Sequence, residues 1–195
     1  ETHMSTKSHR MLFLSTMAFT VCFSAWMING VLVTFLVENN LFTWNAVQIG
    51  FLLGVPVLVG SVMRLPVGIL TDKLGGRWVM AAILLFCAIP MFFLSMANSY
   101  TSFLLLSFGF GLSGSAFAAG GAYTAVWYPK EKQGTALGIF GVGNVGAAFT
   151  TLFAPTILNS LTKQGADLEA WRTLPKLYAA LLVVFAVIFL LGTEN

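Results

Sequence analysis

The chain has 195 residues, 57% of them hydrophobic and only 9% charged, with a mean hydropathy of +0.86. That balance excludes an ordinary water-soluble domain and describes a chain immersed in lipid. The formal net charge of +3 sits in short loops and forms no basic stripe, which argues against a nucleic-acid partner.

Six apolar stretches account for most of the residues, at 11–37, 44–71, 78–98, 101–127, 134–159 and 173–192. Each is long enough to cross about 30 Å of hydrocarbon at about 1.5 Å per residue. In lipid only helices and closed barrels satisfy every backbone group, and these runs are too long and too apolar for barrel strands. The expected fold is therefore an all-α membrane protein of six transmembrane helices, residues 11–192, joined antiparallel by short loops.

Residues 1–10 form a charged tail in which Glu1, Thr2 and His3, ahead of Met4, resemble an expression remnant. The first span carries Cys22 and ends at the polar Glu38–Asn40 break. The second holds Arg64, the one formal charge deep in an apolar run. On its helical projection Gly50, Gly54, Val57, Ser61, Arg64 and Gly68 recur every three or four residues along one narrow face. The loop Asp72–Arg77 follows, and then the third span with Cys87.

On the fourth span Ser113, Gly114, Phe117, Gly120, Gly121 and Thr124 make a similar stripe. On the fifth, Gly134, Gly138, Gly141, Asn144 and Ala148 do so. Three faces rich in small or polar residues imply a shared protein interior. A longer polar loop, residues 159–172, precedes the sixth span, and residues 193–195 read as a second tag remnant.

Lysine and arginine placement sets the orientation. With the N-terminus inside, Lys7, Arg10, Lys73, Arg77, Lys130 and Lys132 are cytoplasmic, against Lys163, Arg172 and Lys176 outside. Both termini are expected in the cytoplasm and the protein in the inner (plasma) membrane.

Several motifs point away from chemistry. Gly109, Gly111 and Gly114, and again Gly141, Gly143 and Gly146, fit G-x-G-x-x-G, but neither set follows a strand. In apolar helices glycine permits close backbone approach, so no dinucleotide cofactor is expected. The two cysteines stand alone in separate spans and both histidines lie in the tail, which leaves no metal site. No nucleophile triad or paired carboxylate falls on the spans, so no enzyme and no cofactor are expected.

Arg64 remains to be explained. A guanidinium cannot shed its charge, and its cost of several kcal/mol inside a membrane calls for a specific partner. No Asp or Glu lies within any span. Measured from the cytoplasmic boundaries, Arg64, Phe117 and Asn144 all lie about 12 to 15 Å deep. Side chains on a helix lean toward its N-terminus, which here aims Arg64 toward the midplane. A bound anion can neutralise it. Snorkelling to headgroups or capping of carbonyls is the structural alternative, as interhelical hydrogen bonding is for Asn144. The missing intramembrane carboxylate also removes the usual proton relay, which favours exchange over proton symport.

The loop Gly68-Ile-Leu-Thr-Asp72-Lys73-Leu-Gly75-Gly76-Arg77 resembles the G-x-x-x-D-[KR]-x-G-x-[KR] signature of the major facilitator superfamily, whose twelve-helix fold has two six-helix halves. Arg64-Leu65-Pro66, the stretch Pro129 to Gly138 and Gly141-Val-Gly143-Asn144-Val-Gly146 are similar to the nitrate/nitrite porters within it. The resemblance implies an anion site in which a helix-2 arginine, a helix-4 aromatic and a helix-5 asparagine serve. By position these are Arg64, Phe117 and Asn144. It implies signature glycines at Gly138, Gly141, Gly143 and Gly146, and an inner-gate loop at Gly68, Asp72, Lys73 and Arg77. It also implies nitrate or nitrite as substrate.

The family's second half would supply a second arginine, and here a second copy of the chain, as a homodimer, is the expected source. The alternatives are a transport-inactive half-domain, a missing C-terminal half, and a passive anion channel.

Overall fold

The computed structural model describes residues 2–195, with side chains from residue 6 onward; the expected remnant at Glu1 and the side chain of His3 fall outside the described residues. Among the described residues six helices are long and apolar enough to cross a membrane: α1 (Thr6–Glu38), α2 (Ala46–Leu74), α3 (Gly76–Leu94), α4 (Tyr100–Val126), α5 (Lys130–Leu161) and α6 (Leu168–Gly192). No strand occurs among the described residues. The helices outrun the apolar stretches at charged ends. Thr6 to Arg10 and Lys130 to Gln133, read from sequence as tail and loop, are helical, because polar residues cost a helix nothing where it emerges into water.

Local chemistry explains the starts. At α2, Asn45 Oδ1 accepts from the Gln48 amide at 2.9 Å while Gln48 Oε1 accepts from the Asn45 amide at 3.0 Å, a reciprocal cap that satisfies two orphan donors. At α4, Ser99 Oγ accepts from the Ser102 amide. Between α2 and α3 the chain reverses through Gly75 alone, at a φ of 88° that disfavours any residue with a side chain.

Helices α1 and α4 form the centre. Helix α5 packs along α1, α2 along α4, and α3 pairs with α6. That last pair is tied at both ends. Arg77 Nη2, at the start of α3, donates to the Leu190 carbonyl in the last turn of α6 at 2.6 Å. Arg172, at the start of α6, donates from Nη1 to the Ser95 and Ala97 carbonyls after α3 at 3.0 and 3.1 Å. Each guanidinium meets the orphan carbonyls and the negative dipole end of its neighbour.

The other four helices are interrupted in mid-span. Helix α1 breaks at Met27 and α2 at Met63, α4 tightens to a 3-10 turn over Gly111–Ser115, and α5 does so over Val142–Asn144. Both described ends of the chain lie together, where Glu194 pairs with Lys7 and with Arg10, the latter at 3.2 Å. Lys7 and Arg10 hold the Glu194 carboxyl below the ordinary carboxylate range.

The small-residue stripes are present, but they do not share an interior among these six helices. A Cβ added at Gly50, Gly54 or Gly68 of α2, or at Gly134, Gly138 or Gly141 of α5, would meet nothing within 4 Å. Only 22% of the most apolar stretch of α2 and 28% of that of α5 is buried, against 56% for α1 and α4. The expectation that these faces pack inward is corrected: they form an open surface that none of the six described helices covers.

Candidate functional site

Arg64 is the first residue after the Met63 break of α2 and is half-buried. Its guanidinium carbon stands 5.2 Å from the ring centroid of Phe117 on α4 and 5.8 Å from that of Trp26 on α1. Both are within cation–π range. Its Nε donates to the Gly114 carbonyl at 3.4 Å, a long contact into the 3-10 turn of α4. No carboxylate pairs with Arg64 among the described residues: the ion pairs there involve only Lys7, Arg10, Arg172, Glu169 and Glu194.

Phe117 is 43% exposed and leans on an aromatic group behind it. Its centroid is 5.8 Å from Phe19 and 6.2 Å from Phe140, and these two stack on each other at 4.6 Å. Phe19 also covers Gly143, where a Cβ would approach it to 2.2 Å.

Asn144, which shares the 3-10 turn of Gly143, is exposed, and its Nδ2 donates to the Gly141 carbonyl at 2.8 Å. The structure thus brings Arg64 and Phe117 into contact, while Asn144 bonds within its own turn and its neighbour Gly143 packs on Phe19. The signature glycines divide: Gly143 and Gly146 pack against α1, whereas Gly138 and Gly141 line the open surface.

The Asp72–Arg77 segment, read from sequence as a loop, is helical except at Gly75: Asp72 and Lys73 lie in the last turn of α2, are exposed, and form no ion pair among the described residues. Arg77 is committed to α6 through Leu190 and lies over Trp78 at 4.9 Å. A groove of about 420 Å³ opens beside this segment, lined by Asp72, Lys73, Tyr123, Trp127 and Asn195.

Trp26 and the Gly114 carbonyl were not among the residues read from the sequence. A usable signal existed for the first: membrane tryptophans favour the interfaces, and one well inside a span is out of place. For the carbonyl there was none. Chemically, the arrangement offers one permanent positive charge, two aromatic rings within cation–π range, and no acid paired with it among the described residues. It suits a small anion.

A family model described as Major Facilitator Superfamily matches residues 14–195. Among similar proteins, "Probable nitrate/nitrite antiporter NarK1" of Thermus thermophilus is 41% identical over 190 residues, which is 95% of this chain and 42% of that protein. "Probable nitrate transporter NarT" of Staphylococcus aureus (strain Newman) is 35% identical over 188 residues, 96% of this chain and 46% of that protein. The chain therefore spans about half the length of the curated relatives it matches. A bacterial homolog of the human lysosomal transporter Spinster, solved inward-facing and occupied, superposes with a TM-score of 0.79 at 20% identity, over 94% of this chain and 44% of that one.

Proposed function

This chain belongs to the major facilitator superfamily, and we propose that it forms one half of a transporter that exchanges nitrate and nitrite across the plasma membrane. The observation that carries the reading is Arg64: a mid-span guanidinium within cation–π range of two aromatic rings, with no carboxylate partner among the described residues. A planar, weakly hydrated anion matches a planar fork of donors and an aromatic face. The relatives named for nitrate and nitrite support that choice of anion.

Both termini are assigned to the cytoplasm, and the meeting of Lys7 and Arg10 with Glu194 supports their lying on one side. The Asp72–Arg77 junction of α2 and α3 then faces the cytoplasm as part of an inner gate, with Asn144 near the anion path. The open face of α2 and α5 is covered by a second six-helix unit, with the anion held between the units as they rock about it. The greater length of the relatives favours a second half within a longer chain, and a second copy of this one is the alternative. The protein mass of the detergent particle distinguishes them.

With acids only at the ends of the spans and none paired with Arg64 among the described residues, repulsion disfavours the empty closed state and reorientation proceeds with anion bound. In proteoliposomes internal nitrite accelerates uptake of external nitrate. Arg64→Ala abolishes that uptake without unfolding the protein, and Arg64→Lys impairs it because an ammonium lacks the planar fork. Transport at normal rates by Arg64→Ala removes the proposal. Conductance without counterflow stimulation replaces it with a channel.

A further inference from the structure

We infer that Trp26 is a positioning residue for anion binding: bolted to the backbone of α2, its indole fixes the guanidinium of Arg64 where the anion meets it. This rests on the reading of Arg64 as the anion-binding group.

Pro56 interrupts the hydrogen-bond ladder of α2. Proline has no N–H, so the Leu52 carbonyl four residues earlier loses its helical donor. Asn29 Nδ2 supplies one at 2.8 Å and also reaches Ser107 Oγ at 2.7 Å. One turn further along α2, Trp26 Nε1 donates to the Pro56 carbonyl at 2.7 Å. Trp26 and Asn29 are three residues apart, so a single face of α1 grips successive turns of α2 across the proline.

Trp26 is 8% exposed. Its ring fits because glycine stands opposite on two helices: a Cβ at Gly60 would come within 2.7 Å of the indole and one at Gly114 within 2.4 Å.

Arg64 depends on this post. With no carboxylate to hold it, the guanidinium is restricted by Trp26, by Phe117 and by the Gly114 carbonyl, and both Nη groups make no hydrogen bond among the described residues. Of the two rings, Phe117 is exposed at the open surface, whereas Trp26 is buried and tied to backbone. Moving Trp26 changes where the free Nη fork points without touching the anion's own contacts on other elements.

The test measures nitrate counterflow by the full-length protein in proteoliposomes, with nitrate affinity by calorimetry in detergent alongside. Trp26→Leu raises KM and Kd for nitrate about tenfold, within the range of a desolvated cation–π contact, while kcat changes less than about twofold. Trp26→Phe keeps a ring face but loses the N–H, and raises both about threefold. That graded response in affinity at constant kcat is not produced by loss of folded protein.

Unchanged KM and Kd in both variants overturn the inference, as does a fall in kcat alone. If Trp26→Leu fails to fold, Trp26→Phe decides by the same criterion. A wild-type protein that binds neither nitrate nor nitrite removes the functional reading and this inference together. Wild-type binding that both variants retain removes this inference only.

Discussion

Gly146 and Gly141 lie five residues apart on α5 and meet opposite surroundings. A Cβ at Gly146 would stand 2.1 Å from the carbonyl oxygen of Thr20, 2.9 Å from its carbon and 3.0 Å from the amide nitrogen of Ser24. Ordinary contact begins at 3.4 Å, so the shortfall at the oxygen is 1.3 Å. These are backbone atoms and cannot rotate aside, so in Gly146→Ala helices α1 and α5 must separate.

Separation strains two bonds between them, Ser24 Oγ to the Gly146 carbonyl at 3.0 Å and Thr150 Oγ1 to the Ser24 carbonyl at 2.7 Å. Overpacking costs about 1–3 kcal/mol, and each interhelical bond about 0.6 kcal/mol. Removing a helical glycine returns about 0.5–1 kcal/mol. The net expectation is a loss of about 1–3 kcal/mol. At Gly141 a Cβ meets nothing within 4 Å, so no packing is lost in this unit. The assay is the fraction of purified protein that stays monodisperse on size-exclusion chromatography after heating. Gly146→Ala should melt several degrees lower and Gly141→Ala should not; equal melting of all three proteins would refute the close-approach argument.

Asn29→Leu leaves the Leu52 carbonyl without a donor and should cost about 1 kcal/mol; Pro56→Ala restores the missing N–H, so the double variant should melt close to Pro56→Ala alone, and an additive loss would contradict the capping role. Glu194 has a folded-state pKa below its ordinary value. Its contribution is therefore complete above the ordinary carboxylate range and lost as pH falls through the lowered value. Melting followed from neutral to acid pH should show an acid-side loss in wild type that is smaller in Glu194→Gln; parallel curves would dismiss the clasp. For orientation, an impermeant maleimide applied to intact cells should label Lys163→Cys but not Lys132→Cys, with Cys22 and Cys87 silent because both are buried. The reverse pattern would invert the topology.

The six spans could be read directly because burial in lipid leaves a run-length signal that needs no partner. Their ends could not, since Thr6 to Arg10 and Lys130 to Gln133 are helical for reasons of continuity while their composition is that of loops. Shared depth and periodicity brought Arg64 and Phe117 to one layer, where they touch. The same periodicity says nothing of what lies across from a stripe. Gly138 and Gly141 face open space while Gly143 and Gly146 are pressed against α1, though all four belong to one glycine pattern. Trp26 could be singled out by its depth in the span, but its partner, the Pro56 carbonyl on another helix, left no mark in the sequence. Arg77, read as part of a gating loop, finds its partner at Leu190, 113 residues away.

The two arginine caps that join α3 to α6 give that pair a fixed register. A slip of one residue, about 1.5 Å along the axes, would take Arg77 from the Leu190 carbonyl and Arg172 from those of Ser95 and Ala97 at the same moment. The two contacts lie at opposite ends of the pair, so fraying at either end must break a guanidinium cap. Helices α3 and α6, uninterrupted in mid-span, are thus clamped as a unit, whereas the remaining four helices carry breaks.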